Sequence, residues 1–151
     1  MNLVVTGSSS GIGRALVERL LAGGHRVWGI ARSDQSDFAA RHKGFTGIRA
    51  DAAEWKRMEA AAREVAAATP SIDGLVTCAG VQGEIGRALE ADPTAWSTTV
   101  RANLDGTYFA IRALAPLLQA GPRRAKIVCF SGGGATKPHR RYPQRLTHVP
   151  F

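Results

Sequence analysis

The sequence predicts an α/β fold, a doubly wound parallel sheet of about five strands in the order 3-2-1-4-5 with helices on both faces. Three observations carry this. Short apolar, β-branched runs recur along the chain, longer amphipathic or alanine-rich stretches separate them, and glycine or small-residue turns close the strands. Strands that alternate with helices at such spacings pair in parallel, because each helix returns the chain to the same edge of the sheet. Right-handed crossovers then select the strand order.

Residues 3–5 form a buried strand that ends in Thr6-Gly7. Over 12–22, Ile12, Ala15, Leu16, the aliphatic stem of Arg19 and Leu20 recur at helical spacing, and Gly23-Gly24 stops the helix. Residues 26–31 read as a second strand and 45–50 as a weaker third. The alanine-rich stretch 54–68 is a helix ended by Thr69-Pro70. A fourth strand over 72–78 closes on Ala79-Gly80. One long helix is expected over 93–120, with proline in its first turn and a kink at Pro116. Residues 126–130 form the fifth strand, and Gly132-Gly133-Gly134 comes directly after it.

Composition narrows the class. The 151 residues suffice for one domain with a buried core. No apolar run approaches the roughly 20 residues of a membrane helix, and no cationic segment precedes Leu3-Val4-Val5 as in a signal peptide. The cytoplasm is therefore the expected location, with no membrane partner. The formal charge is +8. Half of that excess sits on Lys137, Arg140, Arg141 and Arg145 in a final stretch without a single acid, so it reads as a solvated basic tail rather than a patterned nucleic-acid face. That stretch, 137–151, has neither glycine nor alanine and shows neither helical nor strand period. It is set apart as an irregular tail from a domain over 1–136. Cys78 and Cys129 lie in strand-like runs and are expected as buried, reduced thiols; neither cysteine nor histidine falls at a metal-ligand spacing.

The chemistry concentrates in Thr6-Gly7-Ser8-Ser9-Ser10-Gly11-Ile12-Gly13, between the first strand and the first helix. Gly7 permits a tight turn, Gly11 lets the backbone approach a pyrophosphate, and Gly13 lets helix and strand pack closely. The helix N-terminus then offers free N–H groups and a positive dipole end to the phosphates. The hydroxyls of Ser8, Ser9 and Ser10 are candidate additional donors.

At this point the sequence resembles the short-chain dehydrogenase/reductase family. The Thr6-Gly7-x-x-x-Gly11-Ile12-Gly13 string is similar to that family's glycine motif, and four further stretches fall in the family's order across residues 1–136. Asp51, with Ala52 beside it, resembles the acidic position that touches adenine. Cys78-Ala79-Gly80 resembles an Asn-Ala-Gly turn with cysteine in place of asparagine. Asn103 matches the asparagine of the long helix, and the segment 127–131 resembles the strand that leads to a catalytic serine. The resemblance implies a Rossmann-type dinucleotide domain and hydride transfer between a nicotinamide cofactor and a small carbonyl or alcohol substrate. It implies cofactor contacts from Gly7, Ser9, Ser10, Gly11, Ile12, Gly13, Arg32, Ser33, Asp51, Ala52, Ala79 and Gly80, catalytic roles for Asn103 and Ser131, and no metal.

Two departures refine the expectation. NAD-preferring members carry an acid at the end of strand two, where this chain has Ala31, then Arg32 and Ser33. A guanidinium pairs with a 2′-phosphate that a carboxylate would repel, so NADP(H) is favoured and NAD(H) kept as the alternative. The family's tyrosine, whose pKa a lysine four residues on lowers, has no counterpart: Tyr108 has Arg112 at that spacing, and Tyr142 has Leu146. By the family's count Ser131 is the first residue after the strand, and Gly132 holds the catalytic place. The chain is therefore expected to bind the dinucleotide without efficient turnover, as an impaired oxidoreductase or as a non-catalytic binding or interaction module. The change of character after Thr136 is what a frameshifted or prematurely ended member would show. The apolar side of the long helix (Val100, Leu104, Ile111, Leu118) is expected to lie uncovered, so that two copies could associate there.

Overall fold

The computed structural model describes residues 1–84 and 90–131. Its elements are β1 (Asn2–Thr6), α1 (Gly11–Ala22), β2 (Arg26–Ala31), α2 (Ser36–Arg41), β3 (Phe45–Arg49), α3 (Trp55–Ala68), β4 (Gly74–Thr77), α4 (Pro93–Val100), a π-helical segment (Arg101–Asp105), α5 (Gly106–Gln119) and β5 (Lys126–Cys129). The strands form one sheet in the order β3-β2-β1-β4-β5. Every pairing is parallel; Val5 stands beside Gly29 and Val76, and Leu75 beside Ile127. The expected fold class and strand order are those observed.

Alternation along the strands sends side chains to two cores. Val4, Trp28, Ile30, Ile48 and Leu75 pack with Met58, Ala61 and Val65 of α3 and with Ala110, Leu114 and Leu117 of α5. On the other face Val5, Val27 and Phe45 pack with Val17 of α1 and Phe38 of α2. Filling such positions stabilises by about 1.5–3 kcal/mol per large side chain, so the inner strands are the best anchored. The short helix α2 was not legible in the sequence, since it buries one residue, Phe38. That ring meets Phe45 edge-on at 4.8 Å, and the Arg14 guanidinium lies 3.5 Å from its centroid.

Four expectations need correction. Helix α1 buries Gly13 and Val17, while Ile12 and Ala15 are exposed, because Gly13 is pressed onto the β1 turn and fixes the helix's rotation. Helix α5 runs through Pro116 to Gln119. The long helix expected over 93–120 is also irregular at 101–105, where the Gly106 N–H donates to the Arg101 carbonyl in an i→i+5 turn. Within α5, Leu118 is buried beside Leu114 and Leu117, and Ile111 packs against the core rather than standing uncovered. The large hydrophobic side chains that this helix exposes are Trp96, Leu104 and Tyr108. Finally, Cys129 is exposed and Cys78 half-buried; β5 borders the sheet, and all four of its residues are exposed among the described residues. No described helix is long and apolar enough to cross a membrane.

Candidate functional site

A cleft of about 580 Å³ opens at the carboxyl ends of the strands, where β1 gives way to α1 and the loops after β2, β3 and β4 converge. This is where ligands of open parallel sheets bind. Its floor is built by close backbone contacts. Gly7 has φ +70°, and a Cβ there would lie 2.6 Å from the Ala79 nitrogen and 2.7 Å from the Cys78 carbonyl oxygen. A Cβ on Gly13 would run into the Gly7 carbonyl. The two glycines thus let α1 start directly against the β1 and β4 turns. Gly11, φ +53°, has open space on its Cβ side. Ser10, the N-cap of α1, makes no side-chain capping bond, and no acid lies in the first turn. The first N–H groups of the helix are therefore available to an outside acceptor.

Hydrogen bonds hold this floor in register. The Gly7 N–H donates to the Ile30 carbonyl at 2.8 Å and the Cys78 N–H to the Thr6 carbonyl at 3.2 Å. The Ala79 N–H reaches the Thr6 hydroxyl at 3.2 Å. Ser8 does not face the cleft as a donor. It is fully buried, its hydroxyl donates to Gln35 Oε1 at 2.9 Å, and Gln35 Nε2 donates to the Gly29 carbonyl at 3.1 Å. This buried relay, invisible in the sequence, ties the phosphate-type loop to β2.

All twelve residues expected as cofactor contacts line the cleft: Gly7, Ser9, Ser10, Gly11, Ile12 and Gly13 from the loop, Arg32 and Ser33 after β2, Asp51 and Ala52 after β3, and Ala79 and Gly80 after β4. Arg32 and Ser33 are exposed, and the Arg32 carbonyl accepts from Arg49 Nε at 3.1 Å. Asp34, close by in sequence, turns its carboxylate onto the Ser36 hydroxyl and N–H at 2.7 and 3.1 Å; the hydroxyl bond above all holds its pKa below the usual value. Asp51 Oδ1 accepts the Ala53 N–H at 2.9 Å.

The sequence did not point to several further lining residues, among them Glu54, Val81, Thr98, Arg101 and Ala102. The last three come from the long helix, on one face at i, i+3, i+4 spacing. Cys78 also lines the cleft, and burial pushes its thiol pKa up, keeping it neutral.

The two candidate catalytic residues do not join this set. Asn103 is half-buried in the π-segment and behaves as a clamp: its Oδ1 accepts the Val81 N–H at 2.8 Å and its Nδ2 donates to the Val81 carbonyl at 3.0 Å. The Thr107 hydroxyl donates to the Asn103 carbonyl. Ser131 is exposed just past β5 and does not line the cleft. Tyr108 is exposed on α5. Gly132, Tyr142, Leu146 and the whole of 137–151 lie outside the described residues, as does the expected boundary at 136. No cluster among the described residues could hold a metal ion.

Comparison with known proteins agrees with this geometry. The family model for short chain dehydrogenases matches residues 1–143. A short chain dehydrogenase of Monascus ruber is 33% identical over 135 residues, covering 82% of this chain and 45% of the relative. Galactitol 2-dehydrogenase of Cereibacter sphaeroides is 36% identical over 113 residues, covering 72% of this chain and 44% of its own length. A 3-ketoacyl-ACP reductase structure from Sinorhizobium meliloti superposes with a TM-score of 0.87 at 25% identity, over 98% of this chain and 60% of that one. The chain thus spans about half the length of the curated relatives it matches. With a matching family model across nearly its whole length, this chain belongs to the short chain dehydrogenase family.

Proposed function

We propose that the cleft binds NADP(H) and belongs to an oxidoreductase of the type whose intact relatives transfer hydride between this cofactor and a small carbonyl or alcohol substrate. One observation carries the reading: an uncapped helix N-terminus, brought by the Gly7–Gly13 contact to the floor of a cleft, with Arg32 rather than an acid at the β2 end. The residues fit the group. Backbone N–H groups of α1 and the hydroxyls of Ser9 and Ser10 meet the pyrophosphate, Arg32 and Ser33 meet the 2′-phosphate, and Asp51 and Ala52 border the base. The bound nicotinamide supplies the hydride chemistry. The activity named for the Cereibacter sphaeroides relative, an alcohol dehydrogenation, supports the carbonyl or alcohol class.

For this 151-residue chain we propose binding without efficient turnover, since its sequence carries no Tyr-x-x-x-Lys pair. Asn103 then contributes by fixing Val81 and the β4 turn. The test is a fluorescence titration of NADPH paired with a carbonyl panel. Saturable enhancement without substrate reduction supports the reading; measurable turnover abolished by Asn103→Ala contradicts it.

A further inference from the structure

We propose that Arg101 is a second cationic contact for the nucleotide, meeting the face of the base while Arg32 meets the ribose phosphate; this rests on the cleft holding a dinucleotide. The position of Arg101 is set by two fixed points on its helix. At the lower end the Leu117 carbonyl accepts the Ile72 N–H just before β4 begins, so this end of α5 lies at the amino ends of the strands. At the upper end Gly106 packs on Ala52, past the carboxyl end of β3, where an added Cβ would sit 3.5 Å from the Ala52 side chain. The helix therefore descends from the cleft. Arg101, five residues before Gly106, stands about 7 Å further out along the axis, above the loop that carries Asp51 and Ala52. Thr98, Arg101 and Ala102, at the i, i+3, i+4 spacing of one helix face, all line the cleft.

Charge supports a ligand role. The two acids of the cleft wall are already engaged, Asp51 with the Ala53 N–H and Glu54 with Arg57 at 3.7 Å. Arg101 is exposed and forms no ion pair among the described residues. It is a cation facing the cavity with no carboxylate in ion-pair contact among the described residues. The strand order indicates what it meets. With pyrophosphate at the α1 N-terminus and the ribose at the end of β2, the base extends toward β3, the strand outside β2, and so toward the Asp51–Ala52 loop. A planar guanidinium reaching that loop from the helical layer is placed to lie over a purine.

The experiment uses the full chain and two fragments, 5′-AMP and 2′,5′-ADP, titrated by calorimetry into wild type, Arg101→Ala, Arg101→Gln and Arg32→Ala. Both Arg101 variants should weaken both fragments by one common factor, about 3- to 10-fold. Arg32→Ala should weaken 2′,5′-ADP alone. Unchanged binding to the Arg101 variants, or a loss confined to 2′,5′-ADP, overturns the proposal and leaves the nucleotide site standing. Wild type that binds neither fragment overturns both. Because the position is exposed on a helix, thermal unfolding of Arg101→Ala should match wild type.

Discussion

The β1–α1–β2 side of the molecule and the β4–β5 side are built to different standards. On the first side Val5, Val17 and Val27 are fully buried, Gly7 and Gly13 touch through backbone atoms, and Ser8 and Gln35 form a buried relay. On the second, β5 exposes Ile127 and Val128, Phe130 beyond it is exposed, and the buried Thr77 hydroxyl has no hydrogen-bond partner among the described residues. The nucleotide end of the site is thus complete from local contacts, whereas the end nearest Ser131 is not enclosed by the described residues. Affinity and turnover should accordingly separate in this chain.

The contrast breaks most decisively at its tightest contact. Gly13→Val places a branched side chain against the Gly7 carbonyl, and overpacking of this kind costs about 1–3 kcal/mol or more. NADPH binding should be lost along with part of the stability, read by titration and by urea unfolding. Leu114→Ala, at a fully buried position under the long helix, should cost about 2–5 kcal/mol in urea unfolding. Its NADPH affinity, extrapolated to the folded fraction, should be nearly unchanged, since Leu114 does not line the cleft.

Smaller effects probe the same contrast more finely. Asn103→Ala removes both bonds to Val81 and should destabilise by about 1–3 kcal/mol, with a few-fold loss of NADPH affinity through the β4 turn. An Asn103 variant with unaltered stability would mean that the clamp does not hold that turn. The smallest effect concerns Asp73, whose carboxylate accepts the Asn2 N–H at 2.7 Å and pairs with Arg123 at 3.2 Å. The backbone bond from Asn2 chiefly lowers its pKa. A depressed folded-state pKa stabilises above the unfolded value near 4, and that contribution disappears as pH falls through the folded pKa. Asp73→Asn should therefore flatten the acid limb of the stability profile and leave neutral-pH nucleotide binding unchanged.

Much of this was legible in the sequence because the relevant physics is local. Gly7 and Gly13 announce a turn and a close packing that side chains would forbid, and the apolar runs of β1, β2 and β4 have one way to be buried. Alternation and handedness were enough to set the strand order. What the sequence hid was set by tertiary context. Ser8 looked like its neighbours Ser9 and Ser10 until Gln35, at the start of a helix that buries one residue, claimed its hydroxyl. Cys129 sits in as apolar a run as Cys78, yet one lies on a border strand and the other faces the α1 core. The π-turn at 101–105, the burial of Leu118 and the place of Arg101 in the cleft wall likewise left no mark on the helical pattern of residues 93–120.

A cleft built for a dinucleotide that reads the 2′-phosphate through Arg32 should show it in a single calorimetric comparison. NADPH and NADH are titrated into wild type and Arg32→Ala. Wild type should bind both saturably with NADPH tighter, and the variant should lose about 10- to 100-fold for NADPH against little change for NADH. Equal losses for the two cofactors, or no saturable binding of either to wild type, would contradict this assignment.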